Sequence, residues 1–364
     1  MKITEIIDSK MPSITEWLEK TGMPNIQEFR QEDNNKRDRL EILNQTIGIN
    51  YDKPIKLLAT DISQNTEKFQ QILKENGNDK CALRLSPIVK DLPKLRVRGK
   101  TLIQNLEWFK NLDINPEDYK AEIIPHNDNT SFSGIILIND LGIFGEIVPG
   151  PHWQLTQGFF ENKPLIFSYK NDLWHFSYIE PTIQKVLTSV LESLKVENLE
   201  LQKELTEKLA AKFNEDQQLK GYFEFVVWPP DNNISFIDYN RVLYEKLKNS
   251  DYSWNDPGSK LAGIPASPGK AQGIVKIIND PTKDSLTTDN IIVCDMTTVE
   301  YLPLMAKAAG IITKQGNILC HAAIAARELG KPCIVQVGNK ISELKNDDKI
   351  LMNGTTGLIE KITP

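Results

Sequence analysis

The sequence lacks features that would point to a membrane or to a nucleic acid. No uncharged run approaches the roughly 18 apolar residues of a spanning helix. The opening residues, MKITEIIDSKMPSITEW, are too interrupted by charge for a signal peptide. The formal net charge of -6 also lacks the basic excess that is typical of nucleic-acid-binding proteins. We therefore expect a cytoplasmic protein that binds neither a membrane nor a nucleic acid.

Cysteine is scarce, with four residues in 364. They are scattered singly, so the sequence predicts neither paired metal ligands nor the disulfide framework of a small secreted protein. We interpret three as small core residues. For Cys320, which precedes a histidine, packing is favoured over a catalytic thiol, because free cysteines are commonly buried. The four are Cys81, Cys294, Cys320 and Cys333.

The length and the 40% hydrophobic content predict two or three domains. Residues 1–50 have helical apolar spacing, and we interpret their charge run as a solvated surface. Strand and helix patterns then alternate, and one long helix is expected over 182–218. The polar residues 246–260 are interpreted as a linker. The predicted fold class is α/β (α+β), with 1–245 and 261–364 as the two domains.

The stretch from Gly316 to Pro332 places His321 at the start of a predicted helix. Alanine-rich filling favours the helix, and Gly330 with Pro332 predicts its end. Backbone N–H groups of the first turn and the positive end of the helix dipole would hold an anion attached to the imidazole. Alone, the pattern is more typical of a buried or capping histidine.

Three ordered sequence blocks make the interpretation of His321 more specific. They read AGIPASPGKAQGIVKII, TTVEYLPLMAKAAGIITKQGNILCHAAIAARELGKPCIV and LMNGTTGLI. Together they resemble the phosphohistidine swivelling domain of pyruvate phosphate dikinase, phosphoenolpyruvate synthase and rifampin phosphotransferase. The resemblance implies that His321 is the catalytic residue, which is phosphorylated and carries the group between two sites.

The loop before His321 departs from the family at two positions. The family usually has two glycines where Gly316 and Asn317 stand, and asparagine tolerates left-handed backbone. Leu319 replaces a threonine of several dikinases, so control by phosphorylation is not expected there. Candidate phosphate contacts in this region are Gly316, Asn317, Thr297 and Cys320.

The earlier residues resemble the ATP-grasp domain of the same family. That domain typically has a segment that reads Val-Arg-Ser-Ser, then, after several residues, Asp-Leu-Pro and a glycine-containing loop. The corresponding residues here are Leu83-Arg84-Leu85-Ser86, Asp91-Leu92-Pro93 and Gly99, although Lys90 stands where the family often has glutamate. This implies nucleotide binding by Arg84, with Arg98 as a second candidate and Glu146 from a later strand. A basic surface loop is the alternative. Gly99-Lys100-Thr101 is not a Walker loop, because Lys94 replaces the required glycine.

Residues 221–241 predict two strands that bring Glu224 close to Asp238 and Asn240. Carboxylates in this position could hold Mg²⁺ together with nucleotide phosphates. The segment resembles the terminal metal-binding hairpin of ATP-grasp domains, which implies metal binding by Glu224 and by either Asp238 or Asn240, and nucleotide binding by Glu224 and Arg241. A solvent-edge hairpin is the alternative. His152, without a carboxylate partner identifiable by spacing, is interpreted as structural.

The resemblance implies an ATP-dependent phosphotransferase of dikinase type that uses ATP and Mg²⁺ and carries phosphate on His321. No acceptor barrel follows residue 364, so we expect the acceptor to be a small molecule or a separate subunit. The opening Gly-Gly-Lys-Gly type of motif is also missing. A non-catalytic phosphocarrier, phosphorylated by a partner enzyme, is therefore the alternative, and a carboxylate–amine ligase is a weaker one because it would leave His321 without a task.

Overall fold

A computed structural model describes residues 26–89, 92–125, 129–157, 162–248 and 261–362. The helices predicted before residue 26 and most of the predicted linker lie outside the described residues. So do Lys90, Asp91, His126 and the predicted turn at Asn127 and Asp128. The described parts contain helices and three sheets, so the predicted mixed α/β class is confirmed.

The first sheet has four antiparallel strands in the order β1-β4-β2-β3. Thr66 and Thr101 start two of the covering helices, since their side chains accept hydrogen bonds from the first-turn N–H groups of Phe69 and Gln104. The helices pack apolar faces on one side of the sheet. These elements are β1 Ile55–Leu58, α3 Ala59–Ser63, α4 Glu67–Asn76, β2 Lys80–Pro87, β3 Leu95–Thr101, α5 Leu102–Lys110 and β4 Tyr119–Pro125.

The second sheet has six antiparallel strands in the order β10-β9-β5-β6-β7-β8. Its predicted hairpin turn is confirmed, because Asn171 and Asp172 have φ of 51° and 61°. The strands are β5 Phe132–Asn139, β6 Gly142–Pro149, β7 Leu165–Lys170, β8 Leu173–Phe176, β9 Gly221–Trp228 and β10 Asn233–Asn240. The helices around it are α1 Ile26–Asn34, α2 Lys36–Ile47, α6 Trp153–Gln157, α7 Pro181–Ser193, α8 Leu199–Leu209 and α9 Arg241–Leu247.

Alternation along the strands gives this second sheet two apolar faces. Ile136 and Phe223 point to the face covered by α2, α7 and α8. Ile135 and Tyr222 point to the opposite face, where their core cluster also contains Ile318 and other residues of the C-terminal part. The second sheet and the C-terminal part therefore bury apolar surface together.

The C-terminal part is a seven-stranded sheet in the order β11-β15-β14-β13-β12-β16-β17. Strands β12 to β15 pair in parallel, and the outer pairs are antiparallel. Its elements are β11 Ile264–Ser267, β12 Lys270–Ile277, β13 Asn290–Cys294, α10 Leu302–Lys307, β14 Gly310–Thr313, α11 His321–Glu328, β15 Cys333–Val335, β16 Lys349–Asn353 and β17 Leu358–Lys361.

The helix predicted over 182–218 is wrong in its length. The chain leaves helical geometry after Ser193, and Val196 donates its N–H to Gln217 O instead. Asn198 then caps α8 by accepting from Glu200 N at 2.8 Å. Both helices pack on one core, which explains why apolar spacing continued across the break.

The prediction that the charge run in residues 1–50 is a solvated surface is also wrong. Glu32, Arg37 and Arg39 are only 4%, 4% and 3% exposed. The Arg39 guanidinium donates to Tyr239 O at 2.9 Å and lies 3.3 Å from Glu32 Oε2. Burial of Glu32 and Arg39 is tolerated because Glu32 also pairs with Arg241, and Arg39 also donates to Tyr239, from a distant part of the chain. Among the described residues, no helix is long and apolar enough to span a membrane.

Candidate functional site

The histidine loop has the predicted helix start. Helix α11 begins at His321, after Cys320 in extended conformation at φ −71° and ψ 161°. Gly316 has φ +119°, a conformation that residues with a Cβ rarely adopt. His321 is 8% exposed, and the four alanines of the helix are buried. The loop and the packed helix together fix the place of the imidazole.

The same loop is bound to the second sheet by polar contacts. Asn317 Nδ2 donates to Leu155 O at 2.8 Å, and its Oδ1 accepts from Leu319 N at 3.0 Å. Ile318 N donates to Glu146 Oε1 at 3.1 Å. Asn317 is not among the residues with positive φ, so its side-chain amide, and not a tolerance for left-handed backbone, is what the loop uses.

Three carboxyl groups share one row across the second sheet. Asp238 pairs with Glu224, Glu224 with Ile135, and Ile135 with Glu146. Residues directly opposite each other in a sheet project to the same face, so all three carboxyl groups face the C-terminal part. The predicted proximity of Glu224 and Asp238 follows from this register.

Cationic and neutral donors surround the two carboxylates at the end of the row. Lys36 Nζ lies 3.2 Å from Asp238 Oδ2 and 3.9 Å from Glu224 Oε2. His152 Nε2 lies 3.0 Å from Glu224 Oε2, and the Tyr222 hydroxyl donates to Glu224 Oε1 at 3.1 Å. Burial alone would raise the pKa of Glu224, but His152 and Lys36 lower it. Burial raises the pKa of Asp238, with Lys36 opposing and Glu224 adding to the rise.

A basic cluster from the first sheet adjoins this carboxylate pair. Arg84 and Arg96 are directly paired on β2 and β3. Burial and the neighbouring cations Arg37 and Arg96 lower the pKa of Arg84 to about 10. Lys94 Nζ donates to Asp33 O at 2.9 Å and lies 3.3 Å from its Oδ2. Half-buried cationic side chains gathered in this way are suited to a polyphosphate.

His321 faces this group of charges. Burial lowers its pKa to about 4, with Glu224 opposing the shift and Arg96, His152 and Lys36 adding to it. The lowered pKa keeps the imidazole neutral at pH 7, which is the form that attacks phosphorus. A buried neutral histidine, two carboxylates and several cations thus meet between the two parts of the chain.

Several predicted residues lie elsewhere. Asn240 Oδ1 accepts from Leu243 N at 2.9 Å and caps α9, so of the two alternatives it is Asp238 whose carboxylate is directed to Glu224. The Arg241 guanidinium donates from Nη2 to Glu32 Oε2 at 2.7 Å and from Nη1 to Leu209 O at 2.6 Å. These contacts tie Arg241 into a structural network and away from the carboxylate pair.

The remaining predicted contacts are placed as follows. Arg98 lies at an irregularity in the pairing of β2 with β3, beside Gly99, which has φ +79°. The Thr297 hydroxyl is buried without a hydrogen-bond partner among the described residues. Burial raises the pKa of the Cys320 thiol, which favours the predicted packing role over a reactive thiolate.

Sequence reasoning missed His152 and Lys36 as members of this site. His152 was interpreted as structural for want of a carboxylate, yet its partner is Glu224, 72 positions along the chain. Lys36 was hidden in the charge run of α2. The only local signal was that this run continues onto the apolar face of a helix, where solvated charges are rare.

Fold and site together define a mixed α/β chain in which a histidine-bearing α/β domain packs against a sheet with buried charges. Residues 286–357 match the family model described as PEP-utilising enzyme, mobile domain. This part of the chain is therefore similar to the mobile domain of PEP-utilising enzymes, in agreement with the resemblance seen in the sequence.

Curated relatives agree over the same region. The chain is 45% identical over 100 residues to a probable phosphoenolpyruvate synthase of Methanothermobacter thermautotrophicus, covering 27% of this chain and 15% of that protein. It is 33% identical over 104 residues to a rifampicin phosphotransferase of Streptomyces sviceus, covering 29% and 12%. The chain thus spans less than a fifth of the length of these two relatives.

Among solved structures, the D-alanine-D-alanine ligase of Coxiella burnetii is similar over 57% of this chain and 47% of that chain, at 12% identity and a TM-score of 0.29.

Proposed function

We propose that this chain transfers a phosphoryl group from ATP to His321 and from there to an acceptor, as a phosphotransferase of dikinase type. The relatives of its mobile domain carry the names phosphoenolpyruvate synthase and rifampicin phosphotransferase. The single observation that carries the proposal is the position of His321. Its helix start faces the buried charges of the other part of the chain, where Glu224, Arg96, His152 and Lys36 act on its pKa.

The chemistry follows from the charge state of each group. A ring nitrogen of neutral His321 attacks phosphorus, the bond from that phosphorus to its leaving oxygen breaks, and the electron pair stays on that oxygen. Arg84, Lys94 and Arg96 compensate the negative charge of the nucleotide. Backbone N–H groups in the first turn of α11 hold the transferred group. By family resemblance, AMP leaves when His321 attacks the β phosphorus, water then attacks the γ phosphorus, and inorganic phosphate leaves while phosphohistidine carrying the β phosphorus remains.

The carboxylate pair fits a divalent cation. Asp238 Oδ1 is buried without a hydrogen-bond partner among the described residues, and it lies 3.7 Å from Arg39 Nη2. Lys36 Nζ lies within 4 Å of both Asp238 Oδ2 and Glu224 Oε2, so the two carboxylates together already attract a positive charge. Mg²⁺ commonly takes one or two carboxylates together with nucleotide phosphates. Glu224 and Asp238 would hold it, and it would neutralise phosphate charge during transfer.

The acceptor in this proposal is a small molecule or a substrate on a separate subunit. Undocking of the mobile domain would carry phosphorylated His321 to it, with residues 246–260 as the linker and 1–245 as the nucleotide-binding domain. A cytoplasmic location is part of the same proposal.

Labelled ATP tests the proposal directly. The purified chain is incubated with ATP carrying label at the β or the γ phosphate, and protein-bound label is measured with its stability in acid. We expect acid-labile label from the β position, lost in His321→Gln and retained in His175→Gln, whose ring is exposed on β8. Absence of label without a partner enzyme would refute transfer from ATP and favour the phosphocarrier. Label that survives in His321→Gln would refute the role of His321.

A further inference from the structure

His152 makes one specific contact with its ring. The residue directly precedes α6, and its Nε2 lies 3.0 Å from Glu224 Oε2. The side chains of His152 and Glu224 are only 16% and 12% exposed. The other ring nitrogen, Nδ1, is buried without a hydrogen-bond partner among the described residues. The hydrogen bonding of this ring is therefore directed at Glu224.

The Glu224 carboxylate is constrained on both oxygens. The Tyr222 hydroxyl donates to Oε1 at 3.1 Å, while His152 contacts Oε2. The backbone of Glu224 is fixed between β5 and β10, where it pairs with Ile135 and Asp238. Without the His152 ring, Glu224 Oε2 would lose this contact, and the carboxylate could rotate about its remaining hydrogen bond to Tyr222.

The position of α6 does not depend on this ring. Leu155 is fully buried in the core, and Gln154 Nε2 donates to Pro149 O at 2.8 Å. Asn317 of the histidine loop binds Leu155 O at 2.8 Å. These contacts already anchor α6. The His152–Glu224 contact is therefore not needed to hold this helix in place.

We propose that His152 is a positioning residue for the cation site, and this rests on the function proposed above. Its Nε2–H donates to Glu224 and holds the carboxylate in the orientation that binds a divalent cation together with Asp238. Partners that orient ligating groups typically change metal affinity by about 10- to 100-fold when they are removed. The ring itself touches neither the nucleotide nor the cation in this proposal.

Direct binding of Mn²⁺ is the test. The full chain is titrated with Mn²⁺ in the presence of β,γ-imido ATP, and free Mn²⁺ is followed by electron paramagnetic resonance. We expect the Kd for Mn²⁺ to rise about 10- to 100-fold in His152→Ala. In His152→Gln most of this loss should be recovered, because the glutamine amide can also donate to Glu224. The exposed matched control, His175→Ala, should bind as the wild type does.

Each outcome decides the proposal. A folded His152→Ala variant, verified by thermal unfolding, that binds Mn²⁺ within twofold of the wild type would overturn it. If His152→Ala does not fold, the Mn²⁺ affinity of His152→Gln decides. An affinity near that of the wild type supports the positioning role, and a loss as large as that of Glu224→Gln contradicts it. A wild-type chain that binds no Mn²⁺ overturns the cation site and this inference together. Failure of the proposed function is seen separately, as absence of phosphohistidine in the labelling experiment.

Discussion

The imidazole of His321 is neutral around pH 7 because its surroundings disfavour a positive charge. Burial is the largest cause of its lowered pKa. The Glu224 carboxylate raises this pKa, whereas Arg96, His152 and Lys36 lower it further. The start of a helix adds in the same direction, since its dipole repels a cation. The structure therefore holds the proposed nucleophile in its neutral form without a dedicated base.

We predict that the His321 imidazole titrates near pH 4, as measured by the pH dependence of its ring proton shifts in NMR. A histidine with an unfolded pKa near 6.5 binds a proton in the unfolded chain before it does so in the native one. The free energy of unfolding should therefore fall as the pH decreases from about 6.5 to about 4. His321→Gln identifies the signal by removing it. An inflection between pH 6 and 7 for this ring would contradict the prediction.

The helix and strand patterns of the C-terminal part are local, and that is why they could be predicted. His321 starts its helix and Gly330 ends it at φ +63°, because alanine filling and a C-terminal glycine act within one or two turns. The loop that holds the imidazole depends on a glycine in the same local way. Gly316 has φ +119°, and an added Cβ would lie 3.3 Å from Val335 Cβ.

We predict that Gly316→Ala lowers the rate of His321 labelling by about tenfold or more, because a small displacement of a reacting group has a large kinetic cost. The free energy of unfolding should fall by about 1–3 kcal/mol, measured by urea denaturation.

Gly338→Ala is the matched control. It also has positive φ, at +67°, but an added Cβ meets no atom within 4 Å. It should cost about 1–2 kcal/mol and leave the labelling rate unchanged. Equal labelling rates in the two variants would show that the loop geometry does not limit transfer.

The site itself could be predicted only in part, because its partners come from distant elements. Spacing within one hairpin was enough to pair Glu224 with Asp238. It could not reveal that Lys36 of α2 and His152 before α6 converge on the same carboxylates. The burial of Arg39 was missed for the same reason, since Tyr239 lies 200 positions away. Helix spacing likewise continued through the break after Ser193.

At the scale of the whole molecule, Glu146 connects a buried carboxyl group to the contact between the two parts of the chain. It is fully buried and accepts from Ile318 N of the histidine loop. Burial raises its pKa from 4.5 to about 8, although the Ile318 N–H and Arg327 lower it. At neutral pH the docked arrangement therefore holds a proton that a solvated glutamate would release.

We predict that docking weakens as the pH rises from about 6.5 to about 8, because in this window the docked state keeps the Glu146 proton and the undocked state does not. The docking constant should fall up to tenfold per pH unit in this window and level off above about 8. Below about 6.5 the proton that docking removes from His321 offsets this dependence. The docked fraction can be measured as a distance between spin labels at cysteines that replace the exposed residues Lys203 and Lys283.

Glu146→Gln should remove this pH dependence, because the amide keeps a neutral group in place. Glu197→Gln, at a largely exposed carboxylate, is the control and should retain the dependence. A pH response that persists unchanged in Glu146→Gln would assign the effect to another group.

Ile135 neighbours Glu224 on one side and Glu146 on the other. The pair proposed to bind the cation and the anchor of the histidine loop are therefore separated by two strand spacings, about 10 Å. They stand on different strands of the same antiparallel sheet, with β5 between β9 and β6. In the proposed function, the shortest path between nucleotide loading and domain release therefore crosses one aliphatic side chain, that of Ile135.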